Sequence, residues 1–480
     1  MEAVKKEKGK SSALNYIAIP VFIVIAAICI LGVYNVLKWK DTTGDYLSSV
    51  EQLKATDAGL MDVVFVGSSH TYCGINPSYF WEDKGIAAFD MAVSGQDKDS
   101  AYYHLKNLLK TQSPKVVFVD LYALTFDEHA VEGNIYRNLL SLPFSADAVR
   151  LVTDYADKDK WADYIARFPV IHTRYRELAK YDFIEFSPNS FGRGEEVDYL
   201  VNPGMPEPDY ADKDPAPSVL SEKNAKWLER LYELSRKHGF ELVFMVLPFT
   251  SNENDQHIID AAAEFADEKG LRMIDFNRIR KGVGLNYDTD FFDTAHVNAE
   301  GAKKIAKYLE LFMESEYDLA DHRGDAEYWQ WDEDLKWNRS LETEYRLKNT
   351  QDLESYTDIL AGSSDMLAII SLEGTYVNDG YDYYGPLSKL EMVYSDYESG
   401  GKWIYENGFL EKVYENRTGE EPYYRELSSY DTLRIKYDGD YIYPENVMIG
   451  REHYHNQGAY LCITVYNSFL DRVVESKIFW

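Results

Sequence analysis

At 480 residues, with 45% hydrophobic and 27% charged side chains, the chain can hold two or three domains that each bury a core, and its composition excludes extended disorder. Its 81 acidic against 50 basic residues leave a formal charge of −31, which excludes nucleic acid as a partner, because nothing supplies the cationic surface that phosphate neutralisation needs. Three cysteines, Cys29, Cys73 and Cys462, are too few for a disulfide framework, and no Cys/His cluster has zinc-ligand spacing, so neither metal nor cofactor is expected.

Lys5, Lys6, Lys8 and Lys10 make the first segment basic, and an apolar run, Leu14–Leu37, follows it. The run has the length to cross a bilayer as a helix, and Lys38-Trp39-Lys40 closes it with an aromatic and two cations. More positive charge precedes the run than follows it, which predicts a cytoplasmic N-terminus and an extracytoplasmic remainder at the cell membrane. A cleaved signal peptide would need a shorter apolar core and a small-x-small site, which Val33-Tyr-Asn-Val-Leu37 does not supply. Residues 1–13 are therefore expected as a cytoplasmic tail, 14–37 as a transmembrane helix and 38–56 as a stalk, with Asp41–Leu60 polar and helical, either that stalk or a first helix of the next domain.

From residue 57 the pattern changes to strand, turn, helix, strand. Asp62–Val66, Ile86–Val93 and Lys115–Tyr122 read as buried strands, with an amphipathic helix over Ser100–Lys110. Residues 126–204 read as a helical excursion from the sheet, with helical patterns at Ala146–Tyr155 and Trp161–Phe168. A proline-rich loop ends at Pro217. Helices Ser218–His238 and Asp255–Lys269 end at Gly239 and Gly270, strands Glu241–Leu247 and Leu271–Phe276 alternate with them, and Asn298–Glu314 closes the domain. The fold class is thus α/β, a three-layer αβα doubly wound parallel sheet over residues 57–318, preceded by one transmembrane helix and followed by a smaller β-rich sandwich domain. Residues 319–345 read as an acidic aromatic linker. Over 346–480 the segments are short and alternating, with a hairpin turn signal at Glu406-Asn-Gly408.

The first strand ends in Gly67-Ser-Ser-His70, which places a serine at the carboxyl edge of a sheet, where α/β folds keep their chemistry. A serine needs a histidine to take its proton, and Asp293-Thr-Ala-His296 offers one with a carboxylate three residues before it. In these roles His296 deprotonates Ser69, and Asp293 holds the imidazole tautomer. His70 adjoins the serine and is a candidate substrate contact, against the plainer reading that it points away. Asn298 is a candidate for the same role, against the plainer reading that it caps the closing helix. Cys73 and Asp120 read as structural.

These blocks resemble the SGNH (GDSL-type) hydrolase and acyltransferase superfamily over roughly residues 57–318. The resemblance implies that Ser69 is the nucleophile, that Ser68 stands where relatives often carry aspartate, and that Asp293 and His296 complete the triad. His296-Val-Asn298 with Glu300-Gly301-Ala302 is similar to the His-x-Asn-x-x-Gly-Ala run of many members. It also implies an oxyanion hole from the N–H groups of Ser69 and Gly95. One element departs from the pattern: Leu121–Leu124 stand where an asparagine is expected. The opening Gly-Ser-Ser looks like that of membrane-anchored relatives that act on cell-envelope polymers. At the other end, Ile449–Tyr454, Asn456–Gly458, Leu461–Asn467 and Arg472–Ser476 resemble the interleukin-like EMT-inducer (PANDER-type) domain, whose lectin-like connotation suits a chain with 39 tyrosines and 9 tryptophans.

The function these resemblances imply is a serine O-acyltransferase or carbohydrate esterase, adding or removing a small acyl group such as acetyl on an envelope or exported polysaccharide. A multi-spanning membrane acyltransferase is the implied partner. The alternative is a non-catalytic glycan-binding or partner-docking scaffold on the same shell, for which the absent asparagine speaks.

Overall fold

Five short buried segments pair in parallel: β1 (Val63–Gly67), β2 (Ala88–Ala92), β3 (Val116–Asp120), β4 (Glu241–Val246) and β5 (Arg272–Asp275), in the order β2-β1-β3-β4-β5. The computed structural model describes residues 2–38, 47–125, 138–178, 198–215, 219–372, 383–415, 422–428, 431–435, 447–454 and 461–479. Every residue of β1, β2 and β3 is buried, which is why these strands read as continuous apolar runs rather than alternating ones. Side chains of Val63, Phe65, Val116, Phe118 and Met245 pack on one face against Ile75, Phe80, Ile305 and Leu309. Val64, Val66, Val117 and Val119 are equally buried on the other face, where the helices Lys98–Leu108 and Glu222–His238 lie. The chain leaves β1 towards β2 and returns across it to β3. The strand order therefore reverses between β1 and β3, the position at which open α/β sheets bind ligands beyond the strands' carboxyl ends.

The chain divides into two compact units, Met1–Asp334 and Leu335–Trp480. In the first, the helix Glu2–Leu37 contains a stretch of 20 residues, Ala18–Leu37, long and apolar enough to cross a membrane. Its side chains are exposed except at the Leu37 end. Of the excursion read over 126–204, residues 126–137 and 179–197 lie outside the described residues; the described part contains helices Ala146–Tyr155, Trp161–Ala166 and Phe168–Ile171 and a 3-10 turn, His172–Arg176. It buries Leu139, Leu142, Leu151, Val152 and Tyr155 with Tyr103 of the Lys98–Leu108 helix. Tyr103 Oη also donates to Asp154 at 2.7 Å, and Lys106 pairs with Asp147 at 2.6 Å.

Three segments differ from their sequence reading. Ser69–Gly74 is a short helix rather than a turn, and Phe276–Val283 is a helix that no sequence signal singled out. Residues expected as a linker are instead largely helical, with Trp329–Asn349 running across the boundary between the units. The tryptophans explain this. Trp331 is buried and its Nε1 donates to the Ala88 carbonyl at 2.9 Å, while Trp81 Nε1 donates to Asp332 at 2.9 Å. A composition that reads as a solvated acidic stretch is a helix whose buried aromatic side locks onto the edge of the sheet.

The second unit contains two antiparallel sheets. β6 (Met366–Leu372), β7 (Gly401–Glu406), β8 (Phe409–Glu415), β13 (Leu461–Asn467) and β14 (Arg472–Phe479) run in the order β14-β13-β6-β7-β8. β9 (Tyr423–Glu426), β10 (Thr432–Ile435), β11 (Val447–Ile449) and β12 (Glu452–Tyr454) form the other. Leu367, Ile369, Ile404 and Tyr466 meet Leu433, Ile435, Val447 and Ile449 between them. The opposite face of the larger sheet packs Ile370, Trp403 and Ile463 against Tyr356, Leu360 and Leu387, so helices add a third layer to the expected sandwich. The β7–β8 hairpin turns at Asn407 and Gly408, both at positive φ, as the sequence predicts.

Truncating Trp331 removes a large buried ring and strands the Ala88 carbonyl. The variant Trp331→Ala is expected to lose about 3–5 kcal/mol of stability, measured by urea unfolding of the detergent-solubilised full chain. A loss no larger than that of an exposed tryptophan, Trp329→Ala, would show that the segment does not hold the sheet edge.

Candidate active site

Gly67 ends β1 under a tight constraint. A Cβ there would collide with Thr71 Oγ1 and stand 2.9 Å from the Asp120 Cβ, so only glycine lets the following helix begin this close to β3. The Ser68 carbonyl accepts from the N–H groups of Thr71 at 3.0 Å and Tyr72 at 3.3 Å, which starts the helix with Ser69 as its first residue. The two serines are thereby separated in role. Ser68 Oγ is buried with no hydrogen-bond partner among the described residues, whereas Ser69 Oγ is half-buried and lies 2.7 Å from His296 Nε2.

His296 comes from a narrow loop. Phe291 and Val297 form an isolated antiparallel bridge, and the Asn298 N–H donates to the Asp290 carbonyl at 2.9 Å. Inside the loop, Asp293 Oδ1 accepts from the N–H groups of Ala295 at 2.7 Å and His296 at 2.9 Å. Both carboxylate oxygens also lie 2.9 Å from His296 Nδ1. A carboxylate at Nδ1 fixes the proton there, which leaves Nε2 to accept from Ser69 Oγ. The Thr250 N–H donates to the Thr294 carbonyl at 2.9 Å, tying the loop to the segment after β4. The His296 ring stacks on Phe292 at 5.2 Å. Ser69, His296 and Asp293, predicted as a set, are thus in contact, with the imidazole between the hydroxyl and the carboxylate.

Gly95 lies three residues beyond Ala92, which pairs with Gly67 in the sheet, so its turn sits beside Ser69 at the same edge. Among the described residues, neither the Ser69 nor the Gly95 N–H donates a hydrogen bond. The Gly95 turn is held from outside by Asn138, whose Nδ2 donates to the carbonyls of Gly95 at 3.3 Å and Ser94 at 3.5 Å. Sequence reasoning missed Asn138, because nothing in its neighbourhood signals a contact made more than forty residues away. At the end of β3, Leu121–Leu124 form a 3-10 turn, and Tyr122, not an asparagine, reaches the site.

His70 lies behind the triad. Its ring is buried, stacked on Tyr122 at 3.6 Å and edge-on to His296 at 5.2 Å, with Phe249 at 5.5 Å. Neither ring nitrogen has a hydrogen-bond partner among the described residues. Burial, and secondarily the charge of His296, hold its pKa well below the ordinary imidazole value. It is therefore a neutral wall of the site. Asn298, the other candidate contact, is used by the fold: Oδ1 accepts from the N–H groups of Glu300 and Gly301, and Nδ2 donates to the carbonyls of Leu200 and Thr289. It caps the closing helix, and its side chain has no group left for substrate.

Beneath the site Asp120 is fully enclosed. It accepts from Tyr122 N–H at 3.3 Å, Leu247 N–H at 3.4 Å and Thr71 Oγ1 at 3.4 Å, joining the ends of β3 and β4 to the Ser69 helix. Burial outweighs these bonds and pushes its carboxyl up to about 7. No protein-family model and no curated protein matches the chain; the functional reading is carried by this geometry.

Between its ordinary value of 3.8 and about 7, the folded chain keeps a proton on Asp120 that the unfolded chain has lost. Stability therefore falls as pH rises through that window. The variant Asp120→Asn keeps the acceptor and cannot ionise, so its loss of thermal stability between pH 5 and pH 8 is expected to be smaller than the parent's. Asp97 and Glu310, both raised to about 7 by burial, contribute equally to both proteins. Parallel pH profiles would refute the assignment.

Proposed function

We propose that the chain is a serine acyltransferase or esterase working through an acyl-Ser69 intermediate. The observation that carries this reading is the 2.7 Å contact between Ser69 Oγ and His296 Nε2, with Asp293 2.9 Å behind the imidazole. Ser69 Oγ attacks the carbonyl carbon of an acyl donor while its proton passes to Nε2. Asp293 stabilises the imidazolium that forms. The oxyanion is received by the N–H groups of Ser69 and Gly95, each worth roughly 3 kcal/mol. Collapse expels the donor's alcohol or thiol, which takes the proton from His296. The acyl group then passes to a sugar hydroxyl in transfer, or to water in hydrolysis, with His296 as base for that second attack.

The block arrangement supports membership of the SGNH superfamily. The apolar Ala18–Leu37 helix supports an enzyme anchored by its N-terminus, with both units outside the cytoplasmic membrane and the acyl donor delivered by a multi-spanning membrane acyltransferase. On this reading the substrate is an envelope or exported polysaccharide and the group a small one such as acetyl. In the second unit, Trp403, Tyr356 and Tyr466 are buried, so a glycan-binding role for that module would rest on exposed rings such as Tyr424 and Phe409. The scaffold reading retains one observation in its favour, the absence of an asparagine in the turn after β3.

A fluorophosphonate probe separates enzyme from scaffold. Ser69 is expected to be labelled in the parent protein and unlabelled in Ser69→Ala, with acyl content of the envelope polymer altered in cells carrying that variant. Turnover of an activated acetyl ester should fall by about three orders of magnitude or more in Ser69→Ala or His296→Ala, and by up to about 10⁴ in Asp293→Asn. A folded parent protein that resists the probe would support the scaffold.

A further inference from the structure

One buried side chain holds the end of the apolar helix. Arg174 Nη1 donates to the carbonyls of Leu37 at 2.9 Å and Lys38 at 2.8 Å, acceptors that a helix leaves unsatisfied at its C-terminus. Leu37 is itself buried at this junction. Arg174 belongs to the 3-10 turn His172–Arg176, which continues directly from Phe168–Ile171. If Ala18–Leu37 crosses a bilayer, this segment stands in the interfacial layer, because it touches the residue at which the span ends.

The composition of the segment fits that position. In a chain of net charge −31, Phe168-Pro-Val-Ile-His-Thr-Arg-Tyr-Arg176 contains two arginines and no carboxylate; Asp163 and Glu177 lie outside it. Phe168 and Tyr175 are 40% and 58% exposed, and Phe144 nearby is 69% exposed. Arginines rim these rings: the Arg167 guanidinium lies 5.7 Å from the Phe144 ring centre and that of Arg176 lies 5.4 Å from the Tyr175 ring centre. Arg167 is fixed in turn by a 2.8 Å bond from Nη2 to the Leu142 carbonyl. Large aromatic rings flanked by guanidinium groups suit the headgroup region, where rings sit at the hydrocarbon boundary and cations meet lipid phosphates.

We propose that Phe144, Phe168 and Tyr175, with Arg167 and Arg176, form a lipid-binding face that seats the first unit on the bilayer beside its own membrane span. The bilayer is the occupant because the face begins at the exit point of the span, where lipid headgroups are present without any partner. The inference rests on reading Ala18–Leu37 as a membrane span. Its consequence is positional. The excursion packs on the Lys98–Leu108 helix, and Asn138 links it to the Gly95 turn, so seating this face sets the height of the Ser69 site above the membrane.

The test uses the full chain in phosphatidylcholine–phosphatidylglycerol vesicles, in a Cys29→Ser background. Cys73 and Cys462 are buried, so a polarity-sensitive fluorophore can be placed by Phe168→Cys or Tyr175→Cys. The reference site is Leu311→Cys, exposed on the Ala299–Glu316 helix across the sheet. Quenching by lipids carrying a nitroxide near the headgroup is expected to be several-fold stronger at 168 and 175 than at 311, and to drop towards the reference when Arg174→Ala frees the end of the span. Equal quenching at all three sites, in protein that still resists carbonate extraction, would overturn the lipid-binding face and leave the span intact. Release by carbonate would instead overturn the span, and the proposal with it. Shielding at 168 and 175 seen only in native membranes, and not in lipid-only vesicles, would assign the face to a membrane protein and equally overturn it.

Discussion

The 2.7 Å hydrogen bond between Ser69 and His296 joins residues 227 apart in sequence, and the fold can hold it only by fixing both ends on one rigid body. Ser69 opens a helix that leaves β1, and His296 leads into the helix Ala299–Glu316. These helices meet on one face of the sheet, where Ile75, Val297, Ala302 and Ile305 share a core with Phe65 and Phe118. Their approach is close. A Cβ at Gly301 would stand 2.5 Å from the Asp290 carbonyl and 2.8 Å from the Val297 Cβ, so glycine there lets the helix start directly against the histidine loop. The run His296-Val-Asn-Ala-Glu-Gly-Ala302 is therefore one mechanical unit: the histidine that meets Ser69, helix cap, close-contact glycine and buried alanine. A misplacement of about 1 Å anywhere in it would cost the base its reach.

The electrostatics below the bond differ from those above it. Asp120, its carboxyl raised by burial to about 7, ties the strand ends while carrying only part of a negative charge beneath the serine near neutral pH. A carboxylate there would oppose the oxyanion. His70 is kept neutral by burial, so it does not compete for charge when His296 takes the serine proton. Phe292 lies parallel to the His296 ring and packs on one of its faces. On the proposed chemistry, the only group whose charge has to rise during attack is the one that Asp293 is placed to receive.

Much of this was legible in the sequence, and the reason differs from element to element. The strands β1, β3 and β4 could be read because parallel strands covered on both faces must be apolar throughout, as Val63–Val66 and Val116–Val119 are. Ser69, Asp293 and His296 could be read because a strand-end serine and a short Asp-x-x-His each carry a local signature. The Ser69 helix was not legible: Ser-His-Thr-Tyr-Cys-Gly has poor helical propensity, and it is the packing of buried His70, Thr71 and Cys73 that holds it. Asn138 and the Trp331 anchor were invisible for a related reason. Each makes its decisive contact with a backbone carbonyl far away in sequence, and no periodicity records such a contact.

If the acyl-serine forms as proposed, the openness of the site bears on its fate. The side chains of His296 and Asp293 are 19% and 45% exposed, so the histidine is largely covered while its carboxylate faces solvent. Many transferases suppress hydrolysis by closing over the intermediate and expelling water. Among the described residues, the histidine loop is short and tied down at Thr250 and Asp290. On the proposed chemistry, preference for a sugar hydroxyl over water can come from positioning the acceptor, whose effective concentration at the acyl carbon can exceed that of water by orders of magnitude. On the proposed function, a polymer lying along the sheet edge above β1 and β3 would supply that positioning.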